Sequence, residues 1–384
     1  ITTFSLIFSF FLCSQEPLFT LVDNSKTGIN FSNELVDTKE HSIFLYANYY
    51  GGAGVGIGDF DNDGLEDIFF AANLLDDKIY KNLGNFEFED KTKMSGIINN
   101  GSWSTGVTVA DVNNDGLLDI YVSCELYDDA PVLRRNKLYI NQGSFKFKES
   151  ASEWGVDVDR RTRHSVFFDY NNDGLLDLYL LNHPPNTGNF SPFFGKDMSL
   201  PEYNLQLFEN KGNHFVDVTE SAGLNRSGFP NAAVIGDFNK DGWPDIYVAN
   251  DFDSPDFLYF NNKDKTFTYA TETSLRHTSF YSMGVDAADI NNDSHLDLMV
   301  LDMTAEDNFR LKSNMSGMNP DSFWKVVNDG GHYQYMFNTL QLNNGNDTFS
   351  DIAQFTGTAA TDWSWSSLVA DFDNDGQKDI YITN

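Results

Sequence analysis

One phrase of hydrophobic and polar positions recurs along the chain. A small and apolar segment comes first, in the forms GVGIG, GVTVA, SVFF, AAVIG, GVDAA and SSLVA. An acidic stretch follows, and then a β-rich run, written IFFAAN, IYVSCE, LYLLN, IYVAN, LMVLD and IYITN. Further on stands a third element, IYKNLG, LYINQG, LFENKG, LYFNNKD or LQLNNG, and a last phrase that opens on Phe, such as FEDKTKMSGI or FVDVTESAGL. Short apolar runs bounded by Asn, Asp and Gly predict strands and turns. Each unit therefore reads as strand, acidic loop, strand, tight turn after a third strand, and fourth strand. Four strands in a repeat of 52 to 82 residues predict an all-β chain, a β-propeller of four-stranded blades with six repeat motifs present.

The acidic stretch is itself a fixed pattern, D-x-[DN]-x-D-G-x-x-D, present in six copies. Position 1 is Asp59, Asp111, Asp169, Asp237, Asp289 and Asp371; position 3 is Asp61, Asn113, Asn171, Asn239, Asn291 and Asp373. Position 5 is Asp63, Asp115, Asp173, Asp241, Asp293 and Asp375, and position 9 is Asp67, Asp119, Asp177, Asp245, Asp297 and Asp379. With a backbone carbonyl from position 7 (Leu65, Leu117, Leu175, Trp243, His295, Gln377) they form an all-oxygen donor set suited to Ca²⁺. Neither His nor Cys recurs in the pattern, which argues against zinc. An EF-hand would need Glu at position 12, where Phe70, Val122, Leu180, Val248, Val300 and Ile382 stand inside a β-rich run. Position 6 is Gly in five copies, as a turn at positive φ requires, and Ser294 in the fifth, where the weakest site is expected. The first and last loops carry four carboxylates each and are expected to bind best. Up to six Ca²⁺ ions, structural rather than catalytic, are the cofactor expectation.

Composition bears on the same point. Acidic residues number 57 against 25 basic, a net charge of −32. Such a field repels nucleic acid and anionic membranes. Disorder is not the explanation, because the chain holds 34 Phe and 17 Tyr, enough for a large core. Six Ca²⁺ would bring the charge to about −20. Two cysteines, Cys13 and Cys124, exclude a disulfide framework, and Cys124 in its apolar run reads as a buried residue. Residues 1–16 read as a truncated signal or lipoprotein leader: an apolar stretch from Phe4 to Leu12 ends at Cys13, the one point at which a lipid anchor would attach. The propeller is then expected over residues 17–384, continuing beyond Asn384. The phrase FTLVDNSKTGI, from Phe19, matches the fourth-strand element without three strands before it, as expected where one terminus completes the blade begun by the other.

The runs GGAGVGIGDFDNDGLEDIFFAAN (Gly51 to Asn73) and TDWSWSSLVADFDNDGQKDIYITN (Thr361 to Asn384) resemble the FG-GAP/VCBS repeat family. That family includes integrin α-subunit propellers, the cartilage acidic protein group and bacterial VCBS repeat surface proteins. The resemblance implies a propeller, usually seven-bladed, with Ca²⁺ in the acidic loops and an extracytoplasmic setting: cell surface, outer-membrane lipoprotein or secreted.

Function is less legible. The acidic loops join first and second strands, so the opposite face is free for recognition. Two long insertions fall there, His183 to Asn204 and Met303 to Thr339. Tyr50, Trp103, His164, Trp324, Tyr333, Trp363 and Trp365 are the candidates for a ligand face, where aromatic rings suit a sugar or a protein partner. Arg160, Arg161, Arg163 and His164 read as a solvated charge cluster. No HExxH, GxSxG, CxxC or glycine-rich phosphate loop is present. The expectation is a calcium-stabilised binding or adhesion module for a glycan or protein, not an enzyme. The alternatives are an extracytoplasmic glycan lyase or hydrolase with a pocket on that face, which a meeting of His164 or His332 with Arg or Tyr would favour, and a purely structural assembly module.

Overall fold

The computed structural model describes residues 18–46, 48–127, 129–184, 200–252, 254–314 and 318–384. The leader expected over residues 1–16, with Cys13, lies outside them, as does most of the insertion expected from His183 to Asn204.

The chain is all-β, and its main sheets are antiparallel four-stranded blades in simple meander order. Blade 1 is Val55–Gly58, Asp67–Phe70, Lys78–Asn82 and Phe88–Asp90. Blade 2 is Trp103–Ala110, Asp119–Glu125, Lys137–Asn141 and Phe147–Glu149; blade 3 is Arg161–Phe168, Asp177–His183, Gln206–Asn210 and Phe215–Asp217. Blade 4 is Pro230–Gly236, Asp245–Asn250, Phe257–Asn261 and Phe267–Tyr269, and blade 5 is Val285–Ala288, Asp297–Val300, Thr339–Asn343 and Phe349–Asp351. Blade 6 contributes Ser366–Ala370 and Asp379–Thr383. The first strands of successive blades pack side by side.

Strand periodicity explains how the blades stack. Alternate residues of a strand face opposite sides of its sheet. In blade 2, Ile120, Val122 and Cys124 enter the core shared with blade 1, while Tyr121 enters the core shared with blade 3. In blade 3, Leu178 and Leu180 face back toward blade 2, and Tyr179 and Leu181 face blade 4. Because both faces are covered, these second strands are buried along their whole length. Cys124 is fully buried, as its run predicts.

Blades 1 and 6 have one uncovered face each. Val55 and Ile57 of blade 1 are 50% and 60% exposed, and Leu368 of blade 6 is 54% exposed, where their counterparts in the inner blades are covered. The N-terminal segment reaches into this gap. Phe19 packs on Phe372 and Tyr381 of blade 6, with centroids 5.5 and 5.4 Å away, as fourth-strand Phe147 packs on Phe60 of the blade before it at 5.9 Å. Gly28, at φ +73°, has its Cα against the Phe88 carbonyl of blade 1, as Gly96, at φ +82°, has its Cα against the Phe147 carbonyl of blade 2. The segment from Phe19 to Gly28 thus holds the place of a fourth strand between blades 6 and 1. Among the described residues it pairs with no strand, and its helical turn Asn24–Thr27, capped by Asp23 and ending on Gly28, corresponds to Thr92–Ser95 before Gly96 in blade 1.

One recurring element was not expected from the sequence. After the fourth strand come four-residue helices at Thr92–Ser95, Ala151–Trp154, Thr271–Ser274 and Ala353–Thr356. Three of them end on a left-handed glycine, Gly96, Gly155 or Gly357. The insertion from Met303 to Thr339 carries helices Asn308–Asn314 and Pro320–Asn328. It is tied down by short pairings of Thr278–Ser279 with Gln334–Tyr335 and of Met303–Thr304 with Asp362–Trp363.

Candidate metal loops and the opposite face

All six acidic loops have one conformation, built from their own aspartates. The position-1 carboxylate accepts the N–H of position 5 through Oδ1 and that of position 6 through Oδ2, as in Asp59 with Asp63 at 3.0 Å and Gly64 at 2.7 Å. The same pair recurs at Asp111, Asp169, Asp237, Asp289 and Asp371. Position 6 is left-handed throughout, from +84° at Gly174 to +89° at Gly64 and Gly376. Ser294 adopts +68°, a conformation that a side chain makes costly. Position 4 is also left-handed, at Asn62, Asn114, Asn172, Lys240, Asn292 and Asn374. Asn62 donates to the Gly116 carbonyl of the next loop at 2.9 Å, and Asn114 to that of Gly174 at 3.1 Å.

Position 9 is the buried end of loops 1 to 5 and is half-buried in loop 6. Asp119 accepts the Val112 N–H at 3.0 Å and the Asn141 N–H at 2.8 Å, and Asp67, Asp177, Asp245 and Asp297 repeat this geometry. Burial pushes Asp119, Asp177 and Asp245 up to about 7 and Asp67 to about 6. Backbone N–H donors oppose that rise, and neighbouring aspartates (positions 5 and 1 around the first three, Asp61 beside Asp67) add to it. The third-strand asparagines, Asn82, Asn141, Asn210, Asn261 and Asn343, are the partners that sequence reasoning missed. Four of them also stitch their loop to the previous one: Asn141 donates to the Phe60 carbonyl at 2.9 Å, Asn210 to Val112 at 2.9 Å, Asn261 to Tyr170 at 2.8 Å and Asn343 to Phe238 at 2.8 Å. The signal was the invariant Asn in each third-strand phrase.

The donor set fits a hard cation. Ligand oxygens of Asp59, Asp61 and Asp67 lie within 4.8 Å of one another, as do those of Asp371, Asp373 and Asp375. At position 3, Asp61 Oδ1 and Asn171 Oδ1 are buried without a hydrogen-bond partner. A buried oxygen left so is costly unless something else coordinates it. Side chains from outside the motif also enter, Lys81 bonding to Asp61 and Asp63 and Glu209 accepting from Asn171, while within loop 5 the position-7 His295 Nδ1 lies 3.1 Å from Asp293.

On the opposite face the first strands converge on an axial mouth of about 340 Å³. Gly51–Val55, Thr105–Val107, Arg163, His164, Asn231, Met283–Val285 and Trp365 line it. Thus His164 and Trp365 line one opening, while Tyr50, which precedes Gly51 of the lining, is exposed with its hydroxyl on Asp37. Trp103 is not a surface residue. It is fully buried, covered by Tyr46 and Tyr49 at 5.7 and 5.4 Å. Trp324, Tyr333 and Trp363 are exposed but stand elsewhere, on the Met303–Thr339 insertion and its partner strand. Tyr333 shares a 630 Å³ cleft with His332 and Arg276.

The basic cluster is likewise not solvated: Arg161 is 9% exposed, and the Arg163 side chain 12%. Arg163 sits behind the mouth 3.8 Å from buried Glu125, whose Oε2 accepts the Tyr46 hydroxyl at 2.5 Å. His164 is held down to about 4 by burial and by Arg163, and is neutral at pH 7. Burial likewise pushes Asp251, on the same side, up to about 7.

A model of the FG-GAP-like repeat matches residues 39–122, 198–248, 237–300 and 323–382, more than half of the chain. The chain belongs to the FG-GAP-like repeat family. Cartilage acidic protein 1 of Xenopus tropicalis is 26% identical over 164 residues, which make up 42% of this chain and 24% of that protein. The matched part is thus about a quarter of the length of that relative. Among solved structures, an Agrocybe aegerita lectin that recognises non-reducing terminal N-acetylglucosamine aligns over 85% of this chain and 73% of its own, at TM-score 0.46 and 18% identity. The rhamnogalacturonan lyase of Bacillus licheniformis aligns over 86% of this chain and 55% of its own, at TM-score 0.42 and 10% identity. No helix among the described residues is long and apolar enough to cross a membrane.

Proposed function

We propose that this FG-GAP-repeat chain is a calcium-stabilised extracytoplasmic binding module that recognises a glycan or a protein through the face opposite its acidic loops. The observation that carries the metal half is the orphaned position-3 oxygen of Asn171, in a loop preformed by its own aspartates. When bound, Ca²⁺ would be held by positions 1, 3, 5 and 9 with the position-7 carbonyl, and would neutralise buried carboxylate charge. The chain's own residues already fix the loop: position 1 shapes the turn, position 9 anchors it to two strands. A site with a Kd of about 0.1 mM would add roughly 1.4 kcal/mol at millimolar calcium. Thermal unfolding in Ca²⁺, in chelator and in Mg²⁺ tests this; an unchanged melting temperature across all three would remove the ions from the account.

The axial mouth supports the recognition half, with an indole, a guanidinium, an imidazole and an amide around one opening. Trp365→Ala is expected to abolish retention on glycan or protein ligands at an unchanged melting temperature. Equal retention by the variant would place recognition elsewhere.

A second reading has two observations in its favour, one of them the cleft in which His332 meets Arg276 and Tyr333. The other is that His164 meets Arg163 in the axial mouth, a neutral imidazole beside a cation, as a glycan lyase or hydrolase acting on an anionic sugar would use. Incubation with uronate-containing polysaccharides, reading unsaturated products and new reducing ends, decides it: turnover that His164→Ala removes would make the chain an enzyme.

A further inference from the structure

Loop 1 shares with loop 6 the most acidic donor set, and among the described residues Lys81 is the lysine that bridges two ligand positions of its loop, whereas Lys263 reaches only Asp241 in loop 4, at 3.4 Å. Lys81 Nζ lies 2.6 Å from Asp63 Oδ2 and also bonds to Asp61 Oδ2, so it spans positions 5 and 3. It sits 5.4 Å from the centroid of the Phe145 ring, supplied by blade 2, and its side chain is 19% exposed. Carboxylates on one side and an aromatic face on the other are how a protein holds a desolvated ammonium.

The other third strands show what this position is when no cation occupies it. The residue before the conserved asparagine is Lys81 in blade 1, but Ile140, Glu209, Phe260 and Leu342 in blades 2 to 5. None of those four is itself a cation; Glu209 brings a carboxylate to Asn171 in loop 3 and pairs in turn with Lys211 and Lys265.

We propose that the Lys81 ammonium takes the place of the divalent ion in loop 1, so that this loop is formed without calcium and the ions fill loops 2 to 6. The inference rests on the calcium reading of the other loops. A Ca²⁺ ion entering loop 1 would have to displace the ammonium from Asp61 and Asp63, and the two cations would then share a half-buried site, where like charges repel far more than in water. One of the two loops expected from carboxylate count to bind best thus becomes the one that needs no ion. Blade 1 stays in register when calcium is low.

The test counts bound Ca²⁺ by native mass spectrometry and calorimetry at saturating calcium, using the intact chain. Asp59→Asn is expected to leave the wild-type count unchanged, because loop 1 holds no ion. Asp111→Asn, the same change in loop 2, is expected to lower it by one. Lys81→Ile, which copies Ile140, is expected to raise the count by one. A drop of one in Asp59→Asn would overturn the proposal outright, even if Lys81→Ile failed to fold. No gain in a folded Lys81→Ile would overturn the role given to the lysine. A wild-type count of zero would instead bring down the calcium reading itself, and this inference with it.

Discussion

Replacing Asn141 by alanine isolates the contact that joins neighbouring loops. Its side chain makes three hydrogen bonds: Nδ2 donates to the Phe60 carbonyl at 2.9 Å and to the Leu118 carbonyl at 3.0 Å, and Oδ1 accepts the Gly143 N–H at 2.9 Å. The residue is 1% exposed, so water cannot replace the partners of Phe60 and Leu118. Each lost bond costs about 1 kcal/mol net, and more where a buried partner stays unsatisfied. Asn141→Ala is therefore expected to lose about 3 kcal/mol, a change of roughly a hundredfold in the folded-to-unfolded ratio. Its backbone N–H still reaches Asp119, so position 9 keeps its anchor and calcium binding should survive. The assay is urea unfolding followed by tryptophan fluorescence, in saturating calcium and again in chelator, with the same loss expected in both. A loss under about 1 kcal/mol at an unchanged slope would refute the reasoning. It would mean that the loops are held in place by something other than the asparagine stitch.

Three further outcomes are expected. Ser294→Gly should stabilise the chain by about 0.5–1 kcal/mol and tighten calcium at loop 5, because φ +68° suits glycine; weaker binding in titration calorimetry would contradict this. Asp256 is buried against the Tyr247 hydroxyl and the Asn250 N–H, and burial pushes it up to about 7. Its folded value lies above its unfolded one, so its contribution is full below about pH 4 and is lost as pH rises through about 7. Asp256→Asn, the residue blades 2 and 5 carry as Asn136 and Asn338, should gain stability over wild type at pH 8 relative to pH 5; parallel pH profiles would disprove it. Cys124, raised by burial to about 11, should resist thiol reagents in a Cys13→Ser background until the chain unfolds, and rapid native labelling would show that the core between blades 1 and 2 opens.

The sequence by itself determined what repeats. Six acidic loops, the strands on either side of them and the Phe-led fourth strand all follow from local pattern, since turn chemistry and strand alternation act over a few residues. The place of the N-terminal phrase was legible for the same reason, because Phe19 and Gly28 meet the same kind of partner as their counterparts in whole blades. What lies between blades was decided only by the tertiary structure. Trp103 looked like a rim aromatic and is fully buried, because the covering Tyr46 and Tyr49 come from another part of the chain. Arg161 and Arg163 looked solvated, yet Arg161 is buried and Arg163 lines the axial mouth, where six first strands converge. Lys81 is an ordinary strand residue in the sequence, and only the pairing of third strand with second carries it into loop 1. A residue's own neighbours in sequence set its backbone, but its solvent and charge environment are set by neighbours a blade away, and no local pattern records those.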